Sequence, residues 1–250
     1  MANESGTWIM HGLDWDNPYR IRTYRELINW INEIGFLPLF KNEVEGFSAE
    51  EHVSPLCWWT GDAENDPWEW REIIARSGEV VYGKFFGKKT GFVSKEWFPV
   101  FANYRRDGYD FDARWDDELA NIRNKRIMDC FEGSLAGDDK EHIGLQLKKM
   151  AGLGKDGYKN FDGMMTELQM QTYLVVKDFR CKRNKHGLEY GMPVCVYSKP
   201  EDLWGYDMVT TAYSEKPEDS REKIFAHVRE LYPDATEKQL AAVFYIHLPK

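Results

Sequence analysis

Residues 142–197 constrain the fold most, because the hydrophobic period changes there from that of a helix to that of a strand. Apolar side chains recur at helical spacing over residues 142–150 and again over residues 161–170. Over residues 173–179 and 188–197 the side chains alternate and are rich in β-formers. Asn184, Lys185, His186 and Gly187 separate these last two segments. The pattern predicts two helices followed by a two-stranded hairpin with a basic tip.

A further helix, predicted over residues 115–131, precedes this segment. Three helices followed by a hairpin is the order of a winged helix-turn-helix, in which the third helix enters the major groove and the wing touches the flanking backbone. Here the third helix corresponds to about residues 160–171 and the wing to about residues 173–197. We therefore predict an α+β, mostly helical fold, with winged helix-turn-helix modules and small antiparallel β-hairpins.

The chain is expected to divide into three parts. Nine of the ten tryptophans lie in residues 1–115, which we interpret as a Trp-rich helical module with a β-hairpin around Gly87. Residues 116–205 hold the predicted winged helix-turn-helix. Residues 206–250 predict a C-terminal helical extension, with a capping-box pattern at Thr236. No internal sequence repeat marks these divisions.

Charge is distributed unevenly along the chain. The formal net charge is −9, and an acidic protein is on average a poor ligand for nucleic acid. Residues 144–189 oppose this average, with 9 basic and 5 acidic side chains. A basic patch, rather than a net charge, attracts phosphate. The predicted DNA-binding residues are the nine cations of this segment: Lys148, Lys149, Lys155, Lys159, Lys177, Arg180, Lys182, Arg183 and Lys185. The alternative is an ordinary solvated surface.

Several classes of protein are excluded by composition and spacing. With 42% hydrophobic residues the chain is too rich in core-forming side chains to be disordered, and its longest apolar run, residues 240–246, is too short to span a bilayer. The six histidines and four cysteines lack metal-ligand spacing, so we expect no metal site and no cofactor. Scattered cysteines and the lack of a secretory pattern at the start predict a cytoplasmic protein.

Two groups of polar or aromatic residues are candidates for a site. Gln169-Met170-Gln171 closes the predicted third helix, and glutamine lies on helix surfaces or reads an adenine edge. Trp58, Trp59, Trp68 and Trp70 are close together in the sequence, and such rings either fill a core or stack on a base or sugar.

Four segments carry a resemblance to a known family. The segment of residues 161–176, followed by the basic wing, resembles a winged-helix module of the AlkZ-related proteins. Asp66-Pro-Trp-Glu-Trp-Arg71, Tyr82-Gly-Lys and Gly91-Phe-Val-Ser are similar to those proteins as well. They are relatives of the bacterial winged-helix DNA glycosylases, which excise alkylated bases or unhook crosslinks. The resemblance covers about residues 20–210 and implies tandem winged helices curved around duplex DNA.

The resemblance also implies a chemistry. The glycosylases carry a Gln-apolar-Asp or Gln-apolar-Gln motif, and Gln169 and Gln171 match the second form as candidate catalytic residues, although in the glycosylases the motif lies early in the chain. A glutamine can orient a water beside the sugar C1′ while positive charge develops there. The expected function is duplex DNA binding by a winged-helix protein that is a candidate repair glycosylase acting on alkylated bases. A non-enzymatic protein-interaction or transcription-regulatory role stays open.

Overall fold

The chain forms helices on both faces of one six-stranded antiparallel sheet and is therefore an α+β protein. The computed structural model describes residues 9–132, 140–153 and 159–245. The elements of the first part are α1 (Tyr24–Ile34), β1 (Phe36–Pro38), α2 (Ala49–His52), α3 (Pro67–Ser77), β2 (Val80–Phe86), β3 (Lys89–Ser94), α4 (Phe98–Arg106) and α5 (Phe111–Asp116).

The elements of the second part begin with α6 (Ile122–Met128), β4 (His142–Ile143), α7 (Gly144–Met150), α8 (Phe161–Met170), β5 (Val175–Arg183) and β6 (Glu189–Ser198). They continue with α9 (Pro200–Trp204), α10 (Tyr206–Val209), α11 (Pro217–Leu231) and α12 (Glu237–Val243). Short 3-10 turns lie at Pro55–Cys57, Asp129–Phe131 and Thr211–Ser214.

Local sequence explains where the best-defined helices begin. The Thr23 side chain accepts a hydrogen bond from the Glu26 N–H at the start of α1. Asp66 does the same for Trp68 at the start of α3, where Pro67 occupies the first turn. Both side chains satisfy N–H groups that have no partner within the helix.

The strand order across the sheet is β1-β3-β2-β5-β6-β4. β2 and β5 meet in the middle, where Tyr82 pairs with Val176. Strands from the two sides of the predicted boundary between residues 115 and 116 therefore share one sheet. The proposed division into three parts stays a prediction, but its first two parts are joined by this pairing.

The same order of elements occurs twice around the sheet. The first set runs α1, β1, α2, α3, β2, β3, and the second runs α6, β4, α7, α8, β5, β6. In each set the last two strands form a hairpin and the short first strand pairs with the last one, as β1 with β3 and β4 with β6. The third helix of each set also packs against a strand of the other set, α3 on β5 and α8 on β2.

The core lies on both faces of the sheet. On one face, Val81 and Phe85 of β2 pack in a cluster with α4, α11 and α12. The alternate residues Val80 and Tyr82 face a second cluster, with α1 and α3. A third cluster joins α6, α7 and α8. The C-terminal helices therefore complete the core on the first face.

Two of the predicted helices differ from the structure. The helix predicted over residues 142–150 begins only at Gly144, because the backbone of His142 and Ile143 pairs with β6 as β4. The helix predicted over residues 115–131 is interrupted after Asp116. Glu118 has a left-handed backbone there, with φ 60°, and α6 starts after Asn121, whose side chain caps it.

Two buried arginines at the end of α4 connect distant elements. Arg105 donates hydrogen bonds to the carbonyls of Phe85 at 2.5 Å, Tyr245 at 3.1 Å and Met170 at 3.3 Å. Arg106 donates to a Glu201 carboxylate oxygen at 2.5 Å. Both guanidinium groups are almost fully buried, so these bonds satisfy polar groups that water does not reach.

Candidate nucleic-acid interface

A cavity of about 740 Å³ lies between the third helices of the two sets of elements. We call it the interhelical cavity. One wall comes from α3 and the loop before it, and another from α7 and α8. β2, β5 and β6 form the floor. Its volume lies within the range of ordinary ligand sites, which is roughly 300–1,000 Å³.

Tryptophan forms much of the α3 wall. Trp59 and Trp68 line the cavity with ring centroids 6.4 Å apart, and Trp59 is 47% exposed. Trp59 also has a left-handed backbone, with φ 57°, which is rare for a bulky residue and is found most often at functional sites. Trp58 and Trp70 are buried in the core. The four-tryptophan cluster therefore divides into two core rings and two cavity rings.

A buried arginine supports this aromatic wall. The Arg71 guanidinium carbon lies 3.7 Å from the centroid of the Trp68 ring and 4.5 Å from that of Phe179. Arg71 also donates to a Glu72 carboxylate oxygen at 3.2 Å, and its buried Nε has no hydrogen-bond partner among the described residues. The stacking fixes the orientation of Trp68 and places a positive charge beneath it.

The cavity lining carries both signs of charge. Lys84, Lys148 and Lys182 supply ammonium groups, and the Lys84 ammonium donates to the Thr166 hydroxyl at 3.2 Å. The carboxylates of the lining are those of Glu69, Glu72 and Asp162. The ammonium groups of the lining can therefore bind an anion, and its carboxylates can accept hydrogen bonds from the same ligand.

One of these carboxylates has an altered acidity. The Glu72 side chain is only 12% exposed, and desolvation raises its pKa above the usual range despite the neighbouring Arg71. Burial also raises the pKa values of the Cys195 thiol and the Tyr197 phenol at the cavity floor. Both of these side chains are therefore uncharged at neutral pH.

The eight predicted DNA-binding cations among the described residues fall into three groups. Lys148 and Lys182 line the cavity. Lys149, Lys159 and Lys185 are exposed, and no ion pair joins them to another described residue. Lys155 lies outside the described residues.

The last group of cations is paired with carboxylates. Lys177 and Arg180 both contact Glu141, and Arg180 also contacts Asp178 at 3.1 Å. Arg183 contacts Glu189 at 3.1 Å across the hairpin. The pairs of Lys177 and Arg180 reduce the positive potential along β5, and the Arg183–Glu189 pair reduces it beside the turn. Lys182 and Lys185 form no ion pair with a described residue.

The two candidate catalytic glutamines are buried. Gln169 is 1% exposed and Gln171 is 2% exposed. The Gln169 amide oxygen accepts from the Lys84 N–H at 3.2 Å, and its amide nitrogen donates to the Met165 carbonyl at 2.9 Å. Because Lys84 and Met165 line the cavity, Gln169 lies directly behind its surface and fixes α8 to β2.

Sequence reasoning missed the carboxylates and one of the lysines of this site. Glu69 and Glu72 lie three residues apart on α3, which places them on one face of the helix. That spacing is a signal, but it does not distinguish a cavity wall from a solvated face. Lys84 lies in the middle of a strand with buried neighbours on both sides, which is an unusual position for a lysine.

Other kinds of site find no support in the described part of the chain. Residues 9–132, 140–153 and 159–245 contain no group of three or more His, Cys, Asp or Glu side chains arranged to hold a metal ion. In the same residues, no helix has the length and apolarity needed to cross a bilayer.

Fold and site together define an α+β protein with two similarly ordered halves and an aromatic, charged cavity between their third helices. The family model of the AlkZ-related proteins matches residues 21–245. The chain therefore belongs to the AlkZ-related family, and this membership suggests a role related to DNA repair. No curated protein matches the chain, and no solved structure matches it either.

Proposed function

We propose that this protein binds duplex DNA in DNA repair and contacts it with two winged-helix units. The observation that carries the proposal is the order α–β–α–α–β–β, which occurs twice with the same strand pairing. In a winged helix-turn-helix the third helix enters the major groove. The corresponding helices here are α3 and α8, and both line the interhelical cavity.

The β5–β6 hairpin is the wing of the second unit in this proposal. Its tip carries the exposed Lys185, and Leu188, Tyr190 and Met192 are also exposed, at 66%, 52% and 82%. Large apolar side chains at a hairpin tip beside lysines suit a DNA groove, because they contact sugars and base edges while ammonium groups reach phosphates.

Five lysines are the best candidates for phosphate contacts. Lys148, Lys149, Lys159, Lys182 and Lys185 form no ion pair with a described residue, so binding DNA does not require them to leave a carboxylate. Lys177, Arg180 and Arg183 are paired and are expected to contribute less. The acidic remainder of the chain limits non-specific association with DNA.

Fluorescence anisotropy with a labelled duplex tests this proposal. The variant K148Q/K182Q removes two cations from the interhelical cavity, and K216Q/K238Q removes two exposed cations from the C-terminal helical region, so the net charges of the variants are equal. We expect the first variant to bind about tenfold more weakly than wild type at constant salt, and the second to bind like wild type. Equal affinities for the two variants would refute this placement of the DNA.

The catalytic part of the proposal is hydrolysis of the bond between an alkylated base and its sugar. Family membership supports it, and Gln169 and Gln171 are its candidate residues. Both glutamines are buried, and Gln169 lies behind the cavity surface, so orienting a water by the Gln169 side chain requires local opening of α8 against β2. The assay is release of alkylated base from duplex DNA, and we expect Q169A/Q171A to lose it. If Q169A/Q171A releases as much alkylated base as wild type, the two glutamines are excluded as catalytic residues.

A further inference from the structure

We propose that the interhelical cavity binds a single nucleotide, with its base against Trp59 and Trp68 and its phosphate on Lys148 and Lys182. The shared chemistry is a planar base joined to an anion, which either an unstacked residue of a DNA strand or a free nucleoside monophosphate supplies. Binding of an unstacked nucleotide within a DNA strand, which we call the strand source, rests on the proposed function. Binding of a free nucleoside monophosphate, the free source, does not.

The aromatic wall gives the first reason. Trp59 is half-exposed and Trp68 is partly buried, and their rings lie at 60° to each other. Arg71 stacks on the Trp68 ring and Phe40 lies beside it, with ring centroids 6.3 Å apart, so neighbours hold this ring in place. A ring that is already ordered loses little conformational freedom when a base stacks on it.

The distribution of charge gives the second reason. Lys148 lies on α7 and Lys182 on β5, whereas Glu69 and Glu72 lie on α3 with Trp68. A purely apolar ligand covers Lys148, Lys182 and Glu69 without giving them hydrogen-bond partners, which costs free energy. A nucleotide satisfies both, because its phosphate meets ammonium groups and the N–H edges of its base meet carboxylates.

The third reason is the buried arginine behind the wall. Arg71 is 8% exposed, lines the cavity, and has a buried Nε without a hydrogen-bond partner among the described residues. Its charge is offset by one carboxylate, Glu72. An electron-rich base on the other face of Trp68 completes a stack with the guanidinium at one end.

Duplexes with and without an unstacked nucleotide test the strand source. Affinity is measured by anisotropy for a fully paired duplex and for the same duplex with a one-nucleotide bulge. We expect wild type to prefer the bulged duplex by about tenfold, the scale of one base–aromatic stack. W59A/W68A is expected to lose this preference. W15A removes a half-exposed tryptophan outside the cavity and is the matched control.

The single variant W59A provides a second measurement if the double variant does not fold, because Trp59 lies at the surface. An unchanged preference for the bulged duplex in W59A overturns the assignment of the base to this wall. A wild type that binds both duplexes equally overturns the strand source, although binding to paired DNA still supports the proposed function.

A titration with dAMP and dCMP tests the free source separately. Quenching of tryptophan fluorescence in wild type, reduced in W59A and weakened in K148Q/K182Q, supports nucleotide binding even if the protein binds no DNA. That combination refutes the proposed function and not the cavity assignment. If wild type shows neither quenching nor a preference for the bulged duplex, the nucleotide proposal is overturned.

Discussion

Arg105 offers the sharpest test of how the fold is held together. Its guanidinium is fully buried and donates to three backbone carbonyls, which belong to the end of β2, the end of α8 and the segment after α12. Desolvation lowers the pKa of Arg105 to about 10, so the group is still charged at neutral pH. The substitution Arg105→Met fills much of the same volume but donates no hydrogen bond.

The expected loss follows from the three carbonyls. Each buried acceptor that loses its donor costs about 1 kcal/mol or more, and bonds from a charged donor contribute about 1.5–3 kcal/mol each. Part of this is recovered, because the variant no longer buries a charge without a carboxylate. We therefore expect Arg105→Met to lower the free energy of unfolding by about 3 kcal/mol, and Arg105→Lys by less, because an ammonium still donates.

Urea unfolding followed by tryptophan fluorescence measures this difference. Arg123→Met is the control, since Arg123 is exposed and its substitution is expected to change stability by at most about 0.5 kcal/mol. If the free energy of unfolding of Arg105→Met lies within about 1 kcal/mol of that of wild type, the three carbonyls find other partners and the reasoning is refuted.

Three further predictions concern buried polar groups. Glu201→Gln leaves the Arg106 guanidinium without its carboxylate, and we expect the free energy of unfolding in urea to fall by about 2–3 kcal/mol. An unchanged free energy of unfolding would show that this ion pair does not stabilise the fold. The raised pKa of Glu72 means that its ionisation opposes folding, so its contribution to stability falls as pH rises above the usual value of 4.5. The melting temperature of Glu72→Gln should therefore rise relative to that of wild type as the pH increases from 4 to 7. A difference in melting temperature that stays constant over this range would exclude this. Gln169→Leu removes the acceptor of the Lys84 N–H, and we expect the free energy of unfolding to fall by about 1–3 kcal/mol. The same urea assay measures this, and an unchanged midpoint would contradict it.

Local signals allowed much of the fold to be predicted from the sequence. The turn after Arg183 and the capping box at Thr236 each act within a few residues, so their elements are found close to the expected positions. The two-residue strand β4 has no signal of its own, because it exists only through pairing with β6. The pairing of β2 with β5 is equally invisible, since it joins residues far apart in the chain.

The site was less predictable for the same reason. Lys177 and Arg180 look like free cations in the sequence, and only the fold brings Glu141 against both of them. Trp59 and Trp70 have similar local surroundings, yet one lines a cavity and the other fills the core. The repeated order of elements also escapes sequence inspection, because the same strand pairing is formed by different side chains in the two halves.

The salt dependence of duplex binding tests the central claim most directly. For double-stranded DNA, the slope of log K against log salt concentration is about −0.9 for each phosphate contact. If Lys148 and Lys182 contact phosphates, the slope for K148Q/K182Q should be shallower than that of wild type by about 2, and the slope for K216Q/K238Q should match wild type. Identical slopes for wild type and K148Q/K182Q would contradict DNA binding at the interhelical cavity.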